Sequence, residues 1–430
     1  MAGFFLIVKI SWRNLWRNPR GTLLTALALG LGLALLLISS GLLDGGHEQT
    51  VADGVQLGPG HVVIQAKGYQ SSGDQELLLT GPEVALVQEF LQAKPMKPIL
   101  RGDSERLLAT GLLSSAANAS GVSIIGVNPQ DERTVSLIPE RMVEGKYLDK
   151  SSSASAVIGV ELARKLGARV GSKVVLMTQV IRGGAVTGKP GTSGEMKSTL
   201  LRVSGIFHTG LQPVDAGVIH LPLRVAQTLL GVEGHQATQI ALVLVREGDS
   251  LMVANRLRKL LIGKSVEIFT WRESIPMLAQ ILRLDKSFNF VMNIVVLTMV
   301  GLGILNTILM RVLGRRYEFG VCAALGLRPL QLGMVIVGES LALTAISLVM
   351  GLILGLGINH YFATSGLDFR WIFGHNLPPA LVFDPILYSR LSPSRIASSV
   401  SIVFIMAMLI SLYPAIKAGQ TALPESLKVV

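Results

Sequence analysis

The chain has 430 residues, of which half are hydrophobic and 16% are charged, and its mean hydropathy is +0.52. This composition is too apolar for an ordinary soluble domain or a disordered chain and indicates a membrane protein. The formal net charge is +11, but the excess of basic residues lies mainly beside the apolar segments, so we expect no nucleic-acid binding. The single cysteine, Cys322, excludes an intrachain disulfide and a multi-cysteine metal site.

Four apolar runs predict transmembrane helices over 21–43, 286–310, 330–359 and 395–416. Each run reaches the ~20 residues that a helix needs to cross about 30 Å of hydrocarbon. The alternative is that these are buried helices of a large soluble core. The first run is longer than the apolar part of a secretory signal peptide, and no small-residue cleavage site follows it, which favours an uncleaved anchor.

The basic residues predict the orientation. Residues 1–20 carry four basic residues and no acidic one, and the loop 311–329 carries four arginines against one glutamate. The positive-inside rule places both segments, and with them both termini, in the cytoplasm. The segment 44–285 is then a large external domain, 360–394 a short external loop and 417–430 a cytoplasmic tail. Residues 1–20 form either an amphipathic helix on the membrane surface or a simple start to the first span.

The external segment has an α+β pattern. Near its start, "GHVVIQA" alternates like a strand and "GPEVALVQEFLQA" is helical; near its end, "TQIALVLV" and "SVEIFTW" flank the helical "SLMVANRLRKLL". β-rich sequence lies between these two strand–helix–strand units. The pattern predicts a split ferredoxin-like lobe with an inserted β-rich lobe, in a membrane protein with four transmembrane helices.

The segment that leads into the second span predicts a long helix. From Pro276 there is no further proline and no glycine before Gly301, and proline is favoured at the first helical position. A single helix of ~35 residues would be about 52 Å long and would project about 20 Å beyond the hydrocarbon. The alternative is a break near Asp285.

A glycine-rich stretch from Arg182 to Glu195 resembles a phosphate-binding loop, because Gly183–Lys189 spells GxxxxGK. The next residue, Pro190, cannot hold Mg²⁺ as a serine or threonine would, and "PGTSG" does not favour the helix that such a loop requires. We therefore expect no nucleotide binding here. The tip, with Arg182, Lys189 and Pro190, is either a flexible surface loop or an exposed arm for a partner protein.

Catalytic and metal-binding patterns are absent from the sequence: there is no HExxH, no GxSxG and no Cys/His cluster. We expect no catalytic residues and no metal site. Glu339 is the one carboxylate well inside a predicted span, which makes it a candidate intramembrane polar site, although it also lies near enough to the cytoplasmic end to reach the interface. Gly351 and Gly355 form a GxxxG motif, which is typical of close helix packing.

The loop after the second span contains apolar residues between polar flanks, which suggests that a protein docks there from the cytoplasm. At "SWRNLWRNPRGTLLT", "RRYEFGVCAALGLRPLQL" and "YPAIKAGQTALPESLK" the sequence resembles the FtsX-like permeases of ABC transporters. That group includes the lipoprotein-releasing permeases, the macrolide exporter and the cell-division permease. The stretches "VIGVELARKLGARVGSKV" and "GIFHTGLQPVDAGVIHLPLRVAQTLLG" are similar to the lipoprotein-releasing members, and the resemblance covers nearly the whole chain in order.

The resemblance implies a two-lobed periplasmic domain and a location in the bacterial inner membrane. It also implies a coupling helix over Glu318–Leu330, which a separate ATPase grips. The residues that would contact the ATPase are Arg316, Glu318, Gly320, Ala324, Leu325, Gly326 and Leu327. Two ATPase subunits would bind ATP and Mg²⁺, this chain would bind no cofactor, and a second permease, identical or homologous, would complete the complex.

The same resemblance implies that ATP-driven movement of stalk helices acts on cargo at the outer leaflet or in the periplasm. Acyl chains of a lipoprotein would enter between the first two spans, near Leu42, Leu43 and Phe290, which are chosen by depth alone. The Gln179–Ser198 hairpin falls where some lipoprotein-releasing permeases hold a periplasmic carrier. Two alternatives remain open: an ABC-linked regulator of a periplasmic cell-wall hydrolase, and a channel or secondary carrier.

Overall fold

The computed structural model describes residues 12–17, 19–149, 154–181, 195–232, 234–314, 317–318, 321, 329–368 and 386–420. The chain forms two compact units. The helical unit consists of Met1–Glu48, Arg283–His375 and Pro385–Val430, and the sheet unit consists of Gln49–Leu282 with Asn376–Asp384.

The helices in chain order are α1 (Pro19–Gln56), α2 (Tyr69–Ser72), α3 (Gly81–Gln92), α4 (Pro129–Val135), α5 (Val160–Leu166), α6 (Gln212–Gly217), α7 (Leu223–Leu230), α8 (Ser250–Leu260), α9 (Trp271–Ser274), α10 (Pro276–Gly314), α11 (Pro329–Ser365) and α12 (Pro393–Gln420). The strands are β1 (Val62–Ala66), β2 (Leu100–Ser114), β3 (Ala119–Val127), β4 (Met142–Gly145), β5 (Ser155–Gly159), β6 (Lys173–Gln179), β7 (Met196–Phe207), β8 (Val218–Pro222), β9 (Gln239–Leu244), β10 (Val266–Thr270), β11 (Leu367–Asp368) and β12 (Ile386–Leu387).

Four helices in the described part of the chain, α1, α10, α11 and α12, are long and apolar enough to cross a membrane, as the sequence predicts. Two of them extend beyond the predicted spans. Helix α1 does not end at residue 43 but continues to Gln56, and α11 continues past residue 359 to Ser365. The alternative break near Asp285 is not present, because α10 is one helix of 39 residues. The prediction of a long second helix is therefore confirmed.

The helical unit is held together by close packing of α1 against α11. A Cβ atom on Gly351 would lie 2.7 Å from the Gly30 carbonyl oxygen, and one on Gly355 would lie 3.2 Å from Ala34 Cα. Because there is no room for a side chain at either position, the GxxxG motif brings the two backbones into contact. Buried apolar residues from all four long helices complete this core, among them Leu29, Ile304, Leu343 and Ala407.

The sheet unit begins and ends with a strand–helix–strand unit. Four strands lie side by side in the order β10-β1-β9-β2, and each neighbouring pair is antiparallel. Helix α3 connects β1 to β2, and α8 connects β9 to β10. Apolar side chains of these strands and helices form one buried cluster, which includes Ile64, Val87, Leu242 and Leu257.

The second half of β2 belongs to a closed ring of six strands. The pairings run β2–β3, β3–β8, β8–β5, β5–β7, β7–β6 and β6–β2, so the last strand returns to the first. Alternate residues along the strands are buried in a single cluster, as the two-residue period of a strand requires. This cluster contains Leu107, Ile124, Ile158, Leu176, Val203 and Leu221.

Candidate functional site

Of the seven residues predicted to contact an ATPase, the structure describes only Glu318. Its carboxylate forms an ion pair with the Arg17 guanidinium, and both side chains remain substantially exposed. An exposed ion pair adds little to stability, so this contact leaves both charges accessible to a partner. The other predicted residues lie outside the described residues: Arg316, Gly320, Ala324, Leu325, Gly326 and Leu327.

Glu339 is buried within the helical unit, with 9% of the residue exposed. Its Oε1 accepts a hydrogen bond from the Asn14 side-chain amide. Asn14 lies on a short helix over 12–16, which ends before α1 begins at Pro19. The short helix and α11 are therefore joined by a polar contact at the level of the first turn of α1.

At the other end of its apolar segment, α1 is crossed by the chain that enters α12. A Cβ atom on Gly45 would lie 1.9 Å from the Tyr388 carbonyl oxygen, and one on Gly41 would lie 2.1 Å from the Asn359 Oδ1. The Arg390 amide donates a hydrogen bond of 2.9 Å to the Gly41 carbonyl. Glycine is required at both positions because the crossing chain touches the helix backbone.

Two ion pairs flank this crossing. Arg395 makes a bidentate contact with Asp44, with N–O distances of 2.7 and 2.9 Å, and Arg390 pairs with Glu48. We call the glycine crossing together with these two pairs the α1 clamp. The sequence patterns above did not predict the α1 clamp. Its signal is in "SSGLLDGGHE", where small and acidic residues recur on successive helical turns at the end of an apolar run.

The three residues predicted to contact acyl chains lie in the helical unit. Leu42 and Leu43 are half-buried, while Phe290 on α10 is 67% exposed. From Arg283 to Met299 no residue of α10 is buried. This part of α10 therefore presents a broad exposed apolar surface, with the large exposed side chains at Leu284, Phe288, Phe290, Val291, Met292, Ile294, Val295 and Met299.

In the sheet unit, the end of α1 is fixed by a buried ion pair. The Arg106 guanidinium makes two hydrogen bonds to Glu132, of 2.7 and 3.0 Å, and a third of 2.6 Å to the Gly58 carbonyl just after α1. Ser104 donates to the same carboxylate. Burial alone would raise the pKa of Glu132, but the Arg106 charge, helped by hydrogen bonds from Arg106 and Ser104, outweighs it and leaves this pKa below its usual value.

An aromatic and histidine cluster lies beside this ion pair. The Tyr147 hydroxyl and His220 Nδ1 share a hydrogen bond of 2.9 Å, and Leu57 packs against the apolar cluster that contains Tyr147 and Phe207. Burial lowers the pKa of His220 to about 4, so the imidazole is neutral at physiological pH. Leu57, the residue that follows α1, therefore packs against a buried cluster in which His220 is neutral.

The start of α10 is held differently. Trp271, Leu278 and Leu282 form a buried cluster with Val51 and Val55 of α1. The turn before α10 carries a capping box between Thr270 and Glu273, and the Glu273 carboxylate also pairs with Arg258 at 2.8 Å. This second ion pair is half-exposed, whereas the one at the end of α1 is buried.

Strands β6 and β7 pair from Lys173–Arg202 to Gln179–Met196, so the predicted hairpin is present up to its tip. Arg182, Lys189 and Pro190 lie outside the described residues. A cavity of about 770 Å³ lies beside the β7 residues nearest the hairpin tip, and its lining includes Lys197, Thr199 and Arg224. Among the described residues there is no group of three His, Cys, Asp or Glu side chains that could hold a metal ion.

Comparison with known proteins matches both parts of the chain. Residues 22–260 match the MacB-like periplasmic core domain, and residues 290–423 match the FtsX-like permease C-terminal family. The lipoprotein-releasing system transmembrane protein LolE of Haemophilus influenzae is 21% identical over 421 residues, which are 96% of each chain.

Two further relatives show the breadth of the match. The lipoprotein-releasing system transmembrane protein LolC of Neisseria meningitidis is 23% identical over 74% of this chain and 75% of its own length. The macrolide export ATP-binding/permease protein MacB of Agrobacterium fabrum is 25% identical over 85% of this chain, which corresponds to 54% of that relative.

Proposed function

The chain belongs to the ABC transporter permeases that combine a MacB-like periplasmic core domain with an FtsX-like C-terminal part, and from this membership we propose that it drives lipoprotein release at the bacterial inner membrane. In this proposal the chain is non-catalytic and binds no cofactor. A separate ATPase, present in two copies, binds ATP and Mg²⁺ and moves the permease. The observation that carries the proposal is the match to LolE over 96% of both chains.

The relative from Agrobacterium fabrum supports a partnership with an ATPase. Its name joins an ATP-binding part to a permease part, and this chain matches about half of its length. We propose that an ATP-binding protein grips the segment around Glu318–Leu330 of this chain. The accessible charges of Arg17 and Glu318 are suited to such docking because exposed ion pairs exchange partners at little cost.

Movement would be passed to the sheet unit by α1 and α10. Helices of 38 and 39 residues are about 57 and 58 Å long, well beyond the roughly 30 Å of a bilayer core. The far ends of both helices are embedded in the sheet unit, through Gly58 and Leu57 for α1 and through Leu278 for α10. We propose that these ends are periplasmic stalks, and that both chain termini are cytoplasmic.

We propose that the strands in the order β10-β1-β9-β2, with their two helices, form a ferredoxin-like lobe, and that the six-stranded ring is the lobe inserted into it. We propose that the hairpin tip, with Arg182, Lys189 and Pro190, binds a periplasmic carrier. We also propose that a second permease and lipid or acyl chains contact the exposed part of α10 around Phe290.

Regulation of a cell-wall hydrolase is the alternative function, and export of another cargo is a third.

The first test is purification of the tagged full chain from native membranes in mild detergent, with identification of its companions by mass spectrometry. We expect an ABC ATPase and a second permease or second copy. Spheroplasts carrying the chain should then release an acylated lipoprotein when a periplasmic carrier is added. Recovery with a cell-wall hydrolase and no lipoprotein release would favour the regulatory function.

A variant separates coupling from assembly. Gly326→Pro should abolish ATP-dependent release while the protein still inserts in the membrane, because proline cannot continue the predicted coupling helix. Cys322→Ala in the same segment is the matched control and should release lipoprotein normally. Normal release by Gly326→Pro would contradict the coupling role of this segment.

A further inference from the structure

A second cavity, of about 510 Å³, lies inside the helical unit. Its wall is formed by the short helix over 12–16, the first turns of α1, the last turns of α10 and one residue of α11. Seven of its ten described lining residues are polar or charged. They are Asn14, Arg17, Thr22, Thr25, Asn306, Thr307 and Glu339, and the others are Gly21, Met310 and Gly314. A polar cavity of this size lies within the range of small-molecule sites, which span roughly 300–1,000 Å³.

The cavity lies at the level of lipid headgroups. Gly21 and Thr25 begin the first apolar run, and Thr307 and Met310 end the second, so both helices cross the edge of the hydrocarbon here. Two exposed tryptophans give independent evidence for this level. Trp12 and Trp16, on the same short helix as Asn14, are 51% and 58% exposed, and exposed tryptophans gather at membrane–water interfaces.

The lining carries one charge of each sign. Glu339 provides a carboxylate, whose Oε1 already accepts from Asn14, and Arg17, which also pairs with Glu318, provides a guanidinium. Asn306 is exposed although it lies on a membrane-spanning helix, which is costly unless a polar group meets it. The cavity therefore suits a ligand that carries both charges and several hydrogen-bonding atoms. A single anion would be repelled by Glu339.

We propose that this cavity binds the headgroup of a zwitterionic aminophospholipid, with its ammonium at Glu339 and its phosphate at Arg17. The acyl chains would remain in the surrounding leaflet. Such a lipid would contact the short helix over 12–16, α1, α10 and α11, next to the Arg17–Glu318 contact. The inference requires that the helices span a membrane, but it does not depend on the cargo or on the ATPase.

The lining also predicts which headgroup is preferred. A primary ammonium has three hydrogens to donate, and Glu339, Asn306 and the threonine hydroxyls are acceptors. A quaternary ammonium has none, and it is usually held by aromatic rings, which are missing from the described lining of this cavity. Phosphatidylethanolamine should therefore bind better than phosphatidylcholine of the same acyl chains.

The test is a titration of the purified full chain with dioleoyl lipids, followed by native mass spectrometry. We expect about tenfold tighter binding of phosphatidylethanolamine than of phosphatidylcholine or phosphatidylglycerol, the size of one charge-assisted hydrogen-bonding difference. Glu339→Gln should remove this preference, while the new amide oxygen can still accept from Asn14. Ser340→Ala, at a buried neighbour whose hydroxyl bonds the Ile336 carbonyl, should keep it.

Other outcomes overturn the proposal. Equal binding of the three lipids by the native chain, or an unchanged preference in Glu339→Gln, would place any lipid elsewhere. Stronger binding of soluble phosphoethanolamine than of the lipid would assign the cavity to a free amine phosphate. If Glu339→Gln fails to fold, Asn306→Leu, at the lining residue on α10, serves instead, and an intact preference in that variant would equally contradict the proposal.

Discussion

Helices α1 and α10 are nearly equal in length, but the rest of the fold packs against them very differently. In the most apolar part of α1, 39% of the residues are buried inside the chain, whereas in α10 the share is 11%. Glycine contributes to the difference. Gly30, Gly41 and Gly45 let α11 and the crossing chain approach the backbone of α1. On α10, Gly301 meets only side-chain atoms of α12, and Gly303 has no atom within 4 Å.

The difference indicates that α1 is held by contacts within the chain, whereas much of α10 remains exposed to contact by other molecules. Contacts within the chain hold the second half of α1: the α1 clamp does so in the helical unit, and Arg106 with Glu132 does so at Gly58, just after the helix, in the sheet unit. From Arg283 to Met299, α10 has a broad exposed apolar surface and no buried residue, so lipid, cargo or a second permease can reach it. If α1 is held more firmly than α10, disrupting its contacts should lower the free energy of unfolding more than matched changes on α10.

The largest effect should come from the buried ion pair that holds Gly58. Glu132→Ala leaves the Arg106 charge buried without its partner, which typically costs about 3–5 kcal/mol in the free energy of unfolding. Glu273→Ala, before α10, is the comparison: it removes a half-exposed ion pair and the capping box with Thr270, and should cost about 1–2 kcal/mol. Denaturant titration of the full chain measures both. Equal losses would mean that the two helices are anchored alike.

Acid should loosen the same end of α1. The pKa of His220 is about 4 in the folded protein and 6.5 when exposed, so the unfolded chain takes up a proton first as the pH falls. Stability is complete above pH 6.5 and should fall by about 3 kcal/mol by pH 4. His220→Gln should flatten this dependence, measured by denaturant titration at several pH values. If the free energy of unfolding of His220→Gln still fell equally steeply with pH, His220 would not be the cause. His235→Gln, at an exposed position, is the control and should keep the native pH dependence.

The sequence predicted the elements whose signals are local. The four apolar helices, the long α10 and the GxxxG contact all follow from runs of apolar residues and the spacing of glycines. The strand β2 was not predicted because its sequence, "LRGDSERLLATGLLS", carries polar residues on its buried face. Ser104 and Arg106 can be buried because both donate hydrogen bonds to Glu132, which lies 26 or more positions along the chain. No local pattern reveals such a partner.

The same limit applies to the functional site. Glu339 was identified because a carboxylate within an apolar run is unusual, but its contact with Asn14 joins residues 325 positions apart. The closed ring of strands depends on β6 pairing with both β2 and β7, and only long-range register fixes it. The α1 clamp also joins distant segments, and its glycines are informative only once Tyr388 and Ser389 are known to lie against them.

A smaller effect is expected at the glycine crossing. Gly45→Ala places a methyl group 1.9 Å from the Tyr388 carbonyl, so the crossing chain must shift, at a cost of about 1–3 kcal/mol. Gly303→Ala in α10 is the control. It meets nothing within 4 Å and should stabilise the helix by about 0.5–1 kcal/mol. Thermal unfolding in detergent should therefore shift in opposite directions, and the same direction for both would contradict the contrast between the helices.

The smallest effect should come from the exposed ion pair of the α1 clamp. Arg395→Gln removes a bidentate contact with Asp44, but solvent screens both groups, so we expect a loss of about 0.5–1 kcal/mol. A double-mutant cycle with Asp44→Asn isolates the pair, and the coupling should shrink as salt is added. The crossing glycines should matter more than this pair, because backbone contact cannot be screened. A coupling that exceeded the cost of Gly45→Ala would show that charge, not close packing, fixes α1.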